Sequence, residues 1–118
     1  MHKIAENGII TLTAGDSLIA PLYLFLDDDD ANRYTLRETD KLYFSLMWPH
    51  QQFENGVVRK IFTIKDINQQ GDVVLTLDAT DTESLPVGLY YYEIKLSIVD
   101  AGVEYVDTVV PKRKFYLV

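Results

Sequence analysis

The stretch that most constrains this chain is Leu85-Pro86-Val87-Gly88-Leu89-Tyr90-Tyr91-Tyr92-Glu93-Ile94-Lys95-Leu96. From Tyr90 onward Tyr90, Tyr92, Ile94, Leu96 and Ile98 share one face, and Tyr91, Glu93, Lys95 and Ser97 share the other with Leu89. A period of two sustained over that length is a β-strand. The Leu-Pro-x-Gly-x-Tyr lead-in narrows the fold further. In Greek-key sandwiches a corner tyrosine turns its hydroxyl back to the backbone a few residues upstream, and Tyr90 is placed to be that residue. Pro86 fixes one φ and Gly88 admits positive φ, so the chain can cross between sheets and enter a central strand at once.

The flanking sequence repeats the same kind of signal. Ile10 and Leu12 share a face of a short strand, and Ala14-Gly15-Asp16 turns the chain. In Leu18 to Leu26 both faces are apolar, so the second face meets another part of the chain or a partner; Pro21 predicts a bend or an edge there. Leu42, Phe44, Leu46 and Trp48 alternate with Tyr43, Ser45 and Met47, and Phe44 or Trp48 fills the place of a large buried aromatic ring. Asn55-Gly56 reads as a tight hairpin between this strand and one over 57–65. Val73, Leu75 and Leu77 point inward from the next strand, and the acids and caps of 78–84 predict a single helical turn. Asp100-Ala101-Gly102 makes a hairpin, Val103 to Val110 pairs back, Pro111 interrupts, and Lys114 to Val118 resumes as a terminal strand. The expected fold is all-β: one immunoglobulin-like Greek-key β-sandwich of seven to eight strands spanning 1–118, with 1–8 as a flexible arm.

Composition closes off several functional classes. A chain of 118 residues buries roughly two thirds of its unfolded surface, enough for a core without staples. With no cysteine, disulfides and thiolate metal sites are excluded. The longest apolar run contains a proline and is far shorter than the ~20 residues of a membrane helix, so no membrane partner is expected. The first residues lack an apolar signal core, so synthesis and folding in a cytoplasm are expected. A net charge of −7 repels phosphate backbones, and Lys112, Arg113 and Lys114 are too few for a nucleic-acid footprint.

Taken together and in order, Ile10 to Ser17, Pro21 to Leu24, Gly71 to Leu77, Leu85 to Ile94 and Lys114 to Val118 resemble the immunoglobulin-like N-terminal domain of phage baseplate upper proteins. The resemblance implies a non-catalytic structural and assembly module of a phage virion, at the baseplate or tail, whose partners are other virion proteins and itself as a homo-oligomer. The resemblance brings no known catalytic residues to transfer, and no cofactor is expected. In those proteins the domain opens a longer polypeptide, whereas this chain stops where the domain stops; it is expected either to stand alone or to be a fragment. A capsid decoration protein or head fibre on the same scaffold is one alternative. A carbohydrate- or cell-surface-binding module is another, with Gln51, Gln52 and Asn55 beside Trp48 as its polar groups.

Few residues suggest chemistry. Asp27, Asp28, Asp29 and Asp30 are the candidates for calcium, but consecutive carboxylates point in different directions and the run reads as a solvated loop. His2 and His50 have no nearby nucleophile and orienting group, so no enzyme is expected. The eight tyrosines are more informative. Tyr23, Tyr43 and Tyr91, with Ile19, Phe25, Met47 and Leu89, are read as one outward apolar face that serves as a subunit interface. Pro86, Gly88, Tyr90, Tyr92 and Trp48 are read as structural.

Overall fold

The computed structural model describes residues 2–4, 8–24 and 34–118. The alternating segments become β1 (His2–Ile4), β2 (Ile10–Leu12), β3 (Leu18–Leu22), β4 (Lys41–Met47), β5 (Val58–Phe62), β6 (Val73–Leu77), β7 (Gly88–Asp100) and β8 (Val103–Leu117). One sheet has the order β1-β2-β8-β7-β4-β5, and β3 pairs with β6 in a second. Among the described residues only β2 and β8 run parallel; the other pairs are antiparallel. Because the chain changes sheet before β3, after β3, before β6 and after β6, no two-strand hairpin accounts for the fold. This is an immunoglobulin-like Greek-key sandwich.

Inward side chains of both sheets form one core. Leu18, Ala20, Val73, Leu75 and Leu77 come from the small sheet, and Leu42, Phe44, Leu46, Tyr90, Tyr92, Ile94 and Phe115 from the large one. Tyr92 stands at its centre, with its ring centroid 6.0 Å from Phe44 and 6.3 Å from Phe115. Its hydroxyl donates to the carbonyl of Gly8, which ties the β1–β2 connection to the core.

The corner before β7 is built from its own sequence. Helix α1 (Ala79–Thr82) starts where Asp81 accepts the Asp78 N–H at 2.7 Å. Lys60 faces inward opposite Phe44 and reaches the same Asp81 carboxylate at 2.9 Å, closing one side of the sandwich. Tyr90 Oη then donates to the Pro86 carbonyl at 2.6 Å, and Gly88 holds φ at +148°. Trp48 is half-buried against Tyr90, ring centroids 4.6 Å apart, while Phe44 is the fully buried ring of β4.

Three expectations about strands need correction. The segment 57–65 is strand only over β5, since Thr63 and Asp66 cap a short 3-10 turn at Ile64–Asp66. Asn55-Gly56 is not a tight hairpin turn: Phe53–Asn55 is a 3-10 turn and Gly56 has φ −58°. The link from β4 to β5 is therefore the longer loop 48–57. Finally, Pro111 does not interrupt β8. Three steps along β7 from Tyr92 to Lys95 match five along β8 from Arg113 to Thr108, so two extra residues bulge out around Pro111. A proline is tolerated there because β2 flanks β8 only at Phe115–Leu117, so that among the described residues no strand pairs with the outer edge at Pro111. Pro21 likewise lies on a two-stranded sheet in which both strands are edges.

Candidate functional site

The residues read as one interface lie on opposite sides of the sandwich. Ile19 and Tyr23, 61 % and 58 % exposed, sit on the outside of the β3–β6 sheet. Tyr43, Leu89 and Tyr91 lie half-buried on the outside of the larger sheet. Period two distinguishes the faces of one strand, but β3 and β4 belong to different sheets. Phe25 and Asp27 to Asp30 lie outside the described residues. Met47 is fully buried, which removes it from any surface. The cause is the 48–57 loop, which folds back over the outer face of β4. Ser45 Oγ donates to the Phe53 carbonyl at 2.7 Å, and Lys95 Nζ stands 4.5 Å from the Phe53 ring centroid. Gln51 in that loop is spent on structure, its side chain accepting from Trp48 N at 2.9 Å. His50 is exposed there.

One exposed apolar surface among the described residues is not anticipated from the sequence. β7 has 13 residues and β8 has 15, whereas β4 has seven and stops opposite Ser97. Beyond Ser97 the β7–β8 hairpin continues as a two-stranded ribbon. Val99, Val103 and Tyr105 on it, and Val106 at its base opposite Ser97, are 38–59 % exposed, on both of its faces. A two-stranded ribbon gains little stability by itself, so apolar residues on both of its faces mark a contact surface. The available signal was the mismatch between the Asp100-Ala101-Gly102 turn and the shorter neighbouring strand. At the other end of β8, Ile9, Tyr91, Lys112, Arg113 and Lys114 line a shallow open cleft of about 430 Å³.

The buried ionisable groups serve structure. Asp40 is fully buried; its Oδ2 accepts from Tyr34 Oη and from Arg37 N at 3.0 Å, and Arg37 Nε lies 3.6 Å away. These contacts pin the connection into β4. Asp40→Ala is expected to lower the unfolding free energy by about 2 kcal/mol, because it strands two donors. An unchanged urea midpoint would overturn that assignment.

Burial raises the phenol pKa of Tyr90, and of Tyr92 against a smaller opposing effect of Arg113. For Tyr34, burial and then the hydrogen bond to Asp40 push in the same direction. A phenol that ionises less readily when folded contributes stability that is intact below its unfolded pKa of about 10 and is lost as pH rises through the folded value. Urea midpoints are therefore expected to fall from about pH 10 upward. Tyr90→Phe and Tyr92→Phe should each flatten that fall, and identical slopes in parent and variants would contradict this.

Among the described residues no three histidines, cysteines or acids gather as a metal cluster. No helix among the described residues is long and apolar enough to cross a membrane. Comparison with family models, curated proteins and solved structures gives no match.

Proposed function

We propose that the chain is a non-catalytic structural and assembly module of a phage particle, placed at the baseplate or tail and acting through protein contacts. The observation that carries the contact role is the projecting β7–β8 ribbon with exposed apolar side chains on both faces. The virion setting is supported by the order of motifs in the sequence, whose Leu85 to Ile94 segment forms the corner and central strand of the sandwich. The test is immunogold labelling of purified particles with antibody to this chain. Label at the tail tip is expected, label over the head would favour the decoration reading, and absence of the chain from particles would overturn the proposal.

A further inference from the structure

Strand β8 carries its charges unevenly. Glu104 lies in the projecting ribbon and Asp107 at its base opposite Leu96, whereas Lys112, Arg113 and Lys114 lie at the far end of the strand, seated on the sheet. β2 flanks its outer edge only from Phe115 to Leu117, so over 103–114 no strand of the described residues runs alongside. Ala101 and Gly102, with φ of 51° and 78°, form a two-residue turn that closes the Asp100–Val103 pair. In such a hairpin the closing pair exchanges both hydrogen bonds and the pairs alternate from there. Val103, Tyr105 and Asp107 therefore aim their backbone groups at β7, while Glu104, Val106 and Thr108 aim theirs at the open side.

We propose that this edge pairs with a second copy of the same chain, β8 antiparallel to β8 over 104–114 about a twofold axis near Val109, each ribbon tip leaving the ladder where β2 holds Phe115 and resting on the other chain's cleft. The inference rests on the reading that the chain works through protein contacts. Charge selects the occupant. Two chains of net charge −7 repel at a distance, so their contact needs local complementarity. Antiparallel pairing about Val109 supplies it: Glu104 of each chain comes beside Lys112 and Lys114 of the other, and Asp107 comes beside Arg113. In each case acid and base share a face, as their partners on β7 show: Asp107 and Arg113 stand opposite Leu96 and Tyr92 on the inner face, Glu104 and Lys114 opposite Val99 and Tyr91 on the outer one. Ile9 and Tyr91 of the cleft meet the exposed valines of the tip. Pro111 falls opposite Asp107, whose backbone already points at β7, so the missing proline N–H leaves no gap in the ladder.

The test is light scattering and sedimentation of the full chain over a concentration series, with two charge-exchanged variants. One carries Glu104→Lys and Asp107→Lys; the other carries Lys112→Glu and Lys114→Glu. Arg113 stays, because its side chain packs beside Gly8. The parent is expected to be a dimer. Each variant alone should bind itself at least about 100-fold more weakly, and an equimolar mixture should recover a heterodimer to within about tenfold of the parent. Recovery on mixing also shows that both variants are folded. If either double variant fails to fold, the single exchanges Glu104→Lys and Lys114→Glu should show the same pattern at about tenfold. A parent that stays monomeric to roughly 1 mM, a variant that dimerises as well as the parent, or a folded mixture that stays monomeric would overturn the pairing. A monomer found in particles defeats only the pairing, whereas a dimer missing from particles defeats only the virion role.

Discussion

Tyr92→Ala is expected to lower the free energy of unfolding by about 4 kcal/mol, a large part of what a domain of this size has. The ring is the link between three strands: it lies on β7, 6.0 Å from Phe44 of β4 and 6.3 Å from Phe115 of β8. The alanine variant leaves a cavity that these rigid neighbours cannot close without breaking the register of the sheet. It also deprives the Gly8 carbonyl of its donor. Tyr92→Phe keeps the ring and removes only the hydroxyl, so its expected loss is about 1 kcal/mol. Urea unfolding of the two variants separates packing from hydrogen bonding. Equal losses would mean that the hydroxyl, and not the ring, holds the strands, and would overturn this account.

Much of that arrangement is legible in the residues themselves. Alternation from Tyr90 to Leu96 identifies the buried face of β7, and Pro86, Gly88 and Tyr90 specify the corner because each imposes a local backbone or hydrogen-bonding requirement. The helical turn of α1 follows from its caps for the same reason. Other features depend on what packs on top. Ser45 and Met47 occupy the solvent side of β4 by parity, yet both are buried, because the following loop covers them. Ile19 and Tyr43 look equivalent in sequence, but the sheet change between β3 and β4 sends them to opposite sides. The ribbon is invisible to periodicity because apolar residues alternate there as they do in the core; only the shorter length of β4 leaves them in solvent.

Gly56 is where local and non-local demands diverge most, and substituting it tests the loop that covers β4. After asparagine, glycine suggests a need for positive φ, but Gly56 has φ −58°, a value open to any residue. What excludes a side chain is space. A Cβ at this position would lie 2.1 Å from Ser45 Oγ and 2.7 Å from the Leu46 carbonyl oxygen. Neither neighbour can withdraw cheaply, since Ser45 Oγ donates to the Phe53 carbonyl and the Leu46 carbonyl accepts from Val57 N at 2.7 Å. Gly56→Ala must therefore lift the loop, exposing Met47 and Phe53, at an expected cost of about 3 kcal/mol. Trp48 begins the loop, so its fluorescence should shift to the red as the loop rises. Adding Ser45→Ala removes the closer contact but not the carbonyl, and should recover about half of the loss, a non-additive coupling. A Gly56→Ala variant within about 0.5 kcal/mol of the parent, with unchanged tryptophan emission, would show that the loop yields freely and that the cover over Met47 is not fixed by this approach.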